Sequence, residues 1–281
     1  MKPTLVAIAL LLTSFFALGA DAAAPGSPGG LPPGANEAKA VLEKSPRHGE
    51  WANIEVPGEK TPVKSYVVYP ESKEKAPVVI VIQEIFGLSD WIRGVADQLA
   101  ADGFIAIAPD LLSGHGKDGG GTDTFPDQGS VTRAVSGLNP EEVINRLNAI
   151  RAYGLKQPSA NGKSATIGFC WGGGKSFAFA AAQPDLNAAV VYYGTPPAKD
   201  ALAKVKAPVA GFYGGNDNRV TSTVAPTTAE MKTLNKTYEP HVFEGAGHGF
   251  LRQQDGQNGA NMKATEEAWP RTVKFIKEHC E

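Results

Sequence analysis

Cysteine is scarce: Cys170 and Cys280 are the only two in 281 residues. Two thiols cannot supply the framework of bridges that staples a small secreted domain, so a buried core has to hold the fold. A single Cys170–Cys280 bridge is the alternative to two free thiols. Charge of one sign is also lacking. With 27 basic and 29 acidic side chains the formal net charge is -2, and no run of lysine and arginine makes a stripe able to track phosphates, which argues against a nucleic-acid partner. Histidine, cysteine and carboxylates nowhere take metal-ligand spacing, so no metal or other cofactor is expected. No uninterrupted apolar run reaches the roughly 20 residues that a transmembrane helix needs.

What is present is an ordinary globular composition, 42% hydrophobic and 20% charged, on a chain long enough for a sizeable core. At its start Lys2 precedes an apolar run from Leu5 to Leu18, and small residues follow at Ala20-Asp21-Ala22. That order reads as a secretory signal peptide over residues 1–22, so a periplasmic or secreted protein is expected, with no stable membrane insertion after cleavage. Ala24 to Gly34 (APGSPGGLPPG) reads as part of a flexible leader over residues 23–50. Residues 51–281 remain as one domain, expected to act as a monomer on a small molecule.

Within that domain strand-like and helix-like segments alternate. The runs Val63 to Tyr69, Val78 to Ile82, Phe104 to Ala108, Ala165 to Ile167, Ala188 to Tyr192, Val209 to Tyr213 and His241 to Phe243 are rich in β-branched and aromatic residues. Ser89 can start a helix that stops near Asp102-Gly103. Asn139 can cap another, with Pro140 at its first position, Glu141 and Glu142 in its first turn, and Val143, Leu147 and Ile150 on one face. Alternating elements with nearly unbroken apolar strands predict an α/β fold, a mostly parallel central sheet with helices on both faces.

The chemistry gathers at strand ends. Gly168-Phe169-Cys170-Trp171-Gly172 has the form G-x-C-x-G between a strand and the alanine-rich helix Lys175 to Ala182. A turn that tight needs small flanking residues, and it pushes the central side chain out above the sheet as a nucleophile. The helix N-terminus behind the thiol offers unpaired N–H groups and a positive dipole end. Two further residues follow in the order nucleophile, acid, histidine. Asp217 lies in the loop after Val209 to Tyr213, and His248 stands between Gly247 and Gly249 after His241 to Phe243. Together the three make a Cys170, His248, Asp217 triad.

The sequence resembles the dienelactone hydrolases, cysteine-dependent members of the α/β-hydrolase superfamily. The likeness runs from about Val63 to Ile276. It is carried by Gln83-Glu84-Ile85-Phe86-Gly87, Ala108-Pro109-Asp110-Leu111, Gly168-Phe169-Cys170-Trp171-Gly172-Gly173, Tyr192-Tyr193-Gly194 and the Asp217 and His248 segments. It implies an α/β-hydrolase fold, with Cys170 as nucleophile, His248 as base and Asp217 as its orienting acid. It further implies that Glu84 touches the resting cysteine and that the N–H groups of Ile85 and Trp171 form an oxyanion hole. Family members that act on dienelactone hold its carboxylate with two arginines. Arg252 matches one, Arg133 is a loose candidate for the other, and Gly249 replaces the serine or threonine often found after the histidine. The glycine-rich loop Gly114 to Gly129 is a candidate pocket lining. The expected function is hydrolysis of a small ester, lactone or enol-lactone, of carboxymethylenebutenolidase type. A carboxylesterase or peptidase of the same fold is the first alternative, and a non-catalytic ligand-binding protein the second.

Overall fold

The computed structural model describes residues 29–281, so the expected signal peptide lies outside the described residues. In chain order the strands are β1 (Gly49–Ile54), β2 (Val63–Val68), β3 (Ala76–Ile82), β4 (Ile105–Pro109), β5 (Ala160–Phe169), β6 (Ala188–Tyr192), β7 (Val209–Gly214) and β8 (Tyr238–Phe243). The helices are α1 (Ala38–Glu43), α2 (Asp90–Ala101), α3 (Gln128–Gly137), α4 (Pro140–Leu155), α5 (Trp171–Ala182), α6 (Lys199–Leu202), α7 (Asn218–Thr221), α8 (Val224–Thr233) and α9 (Ala260–Cys280). None of them is long and apolar enough to cross a membrane.

The strands form one sheet in the order β1-β2-β4-β3-β5-β6-β7-β8. β1 and β2 pair antiparallel at one edge, β2 also runs antiparallel to β4, and every pairing from β4 through β8 is parallel. Parallel strands need cover on both faces, and β3 (APVVIVI) is buried along its whole length. Its alternate residues serve two cores. Val78, Ile80 and Ile82 face a cluster with Val143, Leu147 and Ile150 of α4, Phe177 of α5 and Met231 of α8. Val79 and Val81 face the other, with Trp91, Ile92, Val95 and Leu99 of α2 and Ala268, Trp269 and Ile276 of α9. The expected helix starts are met. Ser89 Oγ accepts from Ile92 N at 3.4 Å, and Asn139 Oδ1 accepts from Glu141 N at 2.8 Å with Pro140 at the first position.

The leader differs from expectation. Residues 29–48 pack against the domain as a strap, and the sheet already begins at Gly49. A proline- and glycine-rich chain leaves its carbonyls without regular partners, and here side chains of the domain supply them. Trp91 Nε1 donates to Pro33 O at 3.0 Å and Gln254 Nε2 to Pro32 O at 2.9 Å, while Ala35 N donates to Arg252 O at 2.9 Å. Gly94 makes room on α2, since a Cβ there would come within 2.8 Å of Pro33 Cγ. Farther along, Asp97 is 1% exposed and accepts from Ser45 Oγ at 2.6 Å and Arg47 Nε at 3.0 Å.

Asp97→Ala takes away the carboxylate that buried Arg47 faces, and breaking such a pair costs about 3–5 kcal/mol. The expected result is a urea midpoint lowered accordingly, with faster proteolysis inside residues 29–48. An unchanged midpoint would mean that the strap adds nothing to stability.

Candidate active site

The β5–α5 junction is built from backbone lying on backbone. A Cβ at Gly168 would fall 2.0 Å from Gly172 O, and one at Gly172 would fall 2.3 Å from Gln83 O. No larger residue fits at either position without moving main chain. Between them Cys170 takes φ 55 and ψ -114, a left-handed conformation that costs a non-glycine residue on the order of 1–3 kcal/mol. It is fastened by Cys170 N donating to Tyr192 O at 3.0 Å and Gly174 N donating to Cys170 O at 3.2 Å. The strain turns the thiol out of the sheet into an open cleft of about 500 Å³, which Ile85, Trp171, Lys175, Tyr193 and Arg219 also line.

Asp217 ends a turn after β7, where its N–H donates to Gly214 O at 3.0 Å, and it is buried. The loop after β8 is held against that turn, with Asn216 N donating to Ala246 O at 2.9 Å and Gly247 N to Asn261 Oδ1 at 2.9 Å. These bonds bring His248 Nδ1 to 2.5 Å from Asp217 Oδ2. Gly249 has φ 74, which explains why glycine stands where serine or threonine was expected. The His248 ring centroid lies 5.1 Å from that of Tyr193, which lines the cleft with Cys170. The sequence pattern named Tyr193 without a role. It is itself a left-handed residue at φ 40, and its buried hydroxyl has no hydrogen-bond partner among the described residues.

Glu84 is 3% exposed, and burial pushes its carboxyl up to about 7, with the charge of Arg252 pulling the other way. Arg252 Nε lies 2.8 Å from Glu84 Oε2. Its N–H does not point at an acceptor, so the contact is an ion pair whose hydrogen bond is poorly aligned. Burial raises the Cys170 thiol above its ordinary value, and the charge of Glu84 raises it further. The Trp171 N–H and Arg219 act in the opposite sense. The loop carrying Glu84 and Ile85 is braced from β4: Asp110 accepts from Thr122 N and Thr122 Oγ1, both at 2.7 Å, and Thr122 Oγ1 accepts from Leu88 N at 3.1 Å.

Cys170, Ile85 and Trp171 thus meet in one cleft, with the Asp217–His248 pair against Tyr193 and the Glu84–Arg252 pair close enough to bias the thiol. Three expectations fare differently. Arg133 lies exposed on α3, where Asp127 caps the helix and Arg133 Nη2 donates to Ser130 Oγ at 2.9 Å. It does not line the cleft. Arg252 is near the site but is turned onto Glu84 and the Phe86 ring, 4.8 Å from its centroid. The loop 114–129 braces the Glu84 segment through Thr122 and is absent from the lining of the cleft. The sequence pattern missed Lys175 and Arg219, and only Arg219, two residues after Asp217, carried any hint. Both cysteines are free thiols, Cys280 fully buried.

The sequence profile of the Dienelactone hydrolase family matches residues 63–280. Carboxymethylenebutenolidase of Pseudomonas putida is 32% identical over 187 residues, which cover 64% of this chain and 78% of that protein. Among solved structures, one named m3DLH superposes with a TM-score of 0.71 at 22% identity, over 84% of this chain and 99% of its own. Dienelactone hydrolase from Anabaena variabilis ATCC 29413 superposes with a TM-score of 0.64 at 19% identity, again over 84% and 99%. These likenesses carry the α/β-hydrolase fold.

The buried carboxyl of Glu84 sets a pH dependence. The unfolded chain releases this proton near 4.5 and the folded chain near 7. Between those values the folded state holds the extra proton, so stability falls as pH rises, by about 3 kcal/mol for this one group. Urea midpoints of the parent should therefore drop more between pH 5 and pH 8 than those of Glu84→Gln. Equal drops would mean that Glu84 titrates normally.

Proposed function

The chain belongs to the dienelactone hydrolase family, and from that premise we propose that it cleaves a small ester, lactone or enol-lactone through an acyl thioester on Cys170. Action on ester or lactone bonds follows from the family and from its carboxymethylenebutenolidase relatives. The observation that carries the thiol chemistry is the strained Cys170, held at φ 55 over a cleft that Ile85 and Trp171 also line.

The geometry supports the following mechanism. His248 donates from Nδ1 to Asp217 Oδ2, which leaves Nε2 free to accept a proton. Cys170 Sγ attacks the carbonyl carbon as its proton passes to His248. The carbonyl π pair moves onto oxygen, where the N–H groups of Ile85 and Trp171 donate to it. Trp171 opens α5, so its amide has no partner one turn back in the helix. Collapse of the tetrahedral species breaks the acyl–oxygen bond, and His248 protonates the leaving oxygen. Water, deprotonated by His248, then attacks the thioester and frees the thiol. Asp217 orients the imidazole and stabilises its charged form.

Glu84 governs the resting state. Burial and the carboxylate both favour the protonated thiol, and a thiol resists oxidation better than a thiolate. That suits the export read from Lys2 and the apolar run Leu5 to Leu18, which we take to deliver the protein to the periplasm or the medium.

Cys170→Ala should lower kcat/KM on aryl-ester and lactone substrates by at least about a thousandfold with the fold intact. Cys170→Ser should stay far below the parent, because Glu84 and the burial are matched to a thiol. Substantial turnover in the alanine variant would refute the proposal. His248→Ala should lose activity nearly as fully, and Asp217→Asn less, since it only orients. Parental activity in Asp217→Asn would exclude it as the triad acid.

A further inference from the structure

Two strained residues leave the sheet side by side. Phe169 and Tyr192 are the last partners along the parallel strands β5 and β6, so Cys170 and Tyr193 follow at adjacent strand ends. Both are left-handed, at φ 55 and φ 40, and Cys170 N donates to Tyr192 O at 3.0 Å. At Cys170 the strain exposes the nucleophile. At Tyr193 the same cost has no counterpart in the chemistry described above.

Tyr193 carries a second cost. Its side chain is 1% exposed and lines the cleft with Cys170, and its hydroxyl has no hydrogen-bond partner among the described residues. Burying a hydroxyl unpaired is unfavourable. Other buried tyrosines avoid it, Tyr192 Oη pairing with Thr272 Oγ1 and Tyr213 Oη with Tyr238 Oη, both at 2.7 Å. The Tyr193 ring is wedged between His248 and Phe250, with centroids 5.1 Å and 5.5 Å away.

Burial holds the Tyr193 phenol well above its ordinary range. The charges of Glu84 and, next, of Cys170 raise it further, and Arg252 opposes them. The hydroxyl therefore keeps its proton and can only offer it to an anion. Glu84 does not take it at rest, being paired with Arg252. The next charge in order of effect, that of Cys170, exists only once the thiol has ionised. A thiol is a weak acceptor and a charged acceptor a much stronger one, so a bond to this sulfur is made chiefly in the ionised state, from a donor already in place.

We propose that Tyr193 is a further catalytic residue whose hydroxyl donates to the Cys170 thiolate. This rests on the acyl-thioester reading above and deepens it. The thiol proton passes to His248 Nε2, and Tyr193 keeps its own. Its bond to sulfur lapses as Sγ attacks the carbonyl carbon and returns when hydrolysis frees the thiol. The hydroxyl thereby offsets the burial and the charges of Glu84 and Asp217 that favour the protonated form, in the same sense as the Trp171 N–H and Arg219.

Tyr193→Phe keeps the ring and removes the donor. The measurement is the rate of iodoacetamide alkylation against pH, read by mass spectrometry on the peptide that contains Cys170, since Cys280 is also a free thiol. The midpoint should rise by about one unit or more, so that below it alkylation is about tenfold slower than in the parent. Fluorotyrosine at position 193, a stronger donor of nearly the same size, should lower the midpoint, which decides the matter even where the phenylalanine variant folds poorly. The shift should persist in a Glu84→Gln background. Tyr192→Phe, which loses a buried hydroxyl bonded to Thr272, should keep the parental midpoint. A parental midpoint in Tyr193→Phe or with fluorotyrosine, an equal rise in Tyr192→Phe, or loss of the shift in the Glu84→Gln background would each overturn the proposal. None of these readings needs turnover, so they judge Tyr193 apart from the hydrolase mechanism, which falls instead if Cys170→Ala still hydrolyses esters.

Discussion

The close approach of backbone at the β5–α5 turn is the constraint on which everything else in this molecule depends. Gly172 O stands where a Cβ of Gly168 would be, and Gln83 O stands where one of Gly172 would be. Because β5 lies beside β3 in the middle of the sheet, this contact also ties the turn to the segment that continues into Glu84 and Ile85. One packing requirement therefore sets the strained Cys170 and brings Trp171 and Ile85 to the same cleft. The two hydrophobic cores on either side of the sheet supply the stability against which that local strain is held.

Electrostatics is the second layer, and it too is a matter of position. Glu84 is buried deeply enough that its ionisation is opposed, yet Arg252 stands beside it as a counter-charge. The thiol feels both its own burial and Glu84, so its protonation depends on a carboxyl that titrates near neutrality. The N-terminal strap reaches this arrangement from behind, since Ala35 bonds the carbonyl of Arg252 and Gln254 bonds that of Pro32. Residues 29–62 precede the part of the chain matched by the family profile, and their first half nevertheless braces the loop that carries the counter-charge.

Much of this was legible in the sequence, for reasons that can be named. β-branched runs marked β3 through β7 because parallel strands buried on both faces must be apolar throughout, and shorter runs of the same residues marked β2 and the half-exposed β8. The elbow was legible because only glycine survives at 168 and 172, and Asp217 and His248 because they follow apolar strands in glycine-rich turns. β1 was missed: it is a largely exposed edge strand with no apolar run to mark it. α9 was missed because Pro270 interrupts the helical pattern, although Ala264, Ala268, Trp269 and Ile276 face the core. The leader was misread because composition reports only how a segment behaves alone. The room left by Gly94 and the donors Trp91 and Gln254 exist only in the folded surface. Arg133 lies exposed beside the cap at Asp127, and Lys175 and Arg219 line the cleft through tertiary packing that no local pattern encodes.

The central claim is a covalent acyl intermediate on one strained thiol, and mass spectrometry of an acid-quenched reaction tests it most directly. With a slowly deacylating aryl ester, the account predicts a single added acyl mass, located after digestion on the peptide that contains Cys170 and lost again as turnover completes. Steady turnover with no adduct, or an adduct on any other residue, would contradict it.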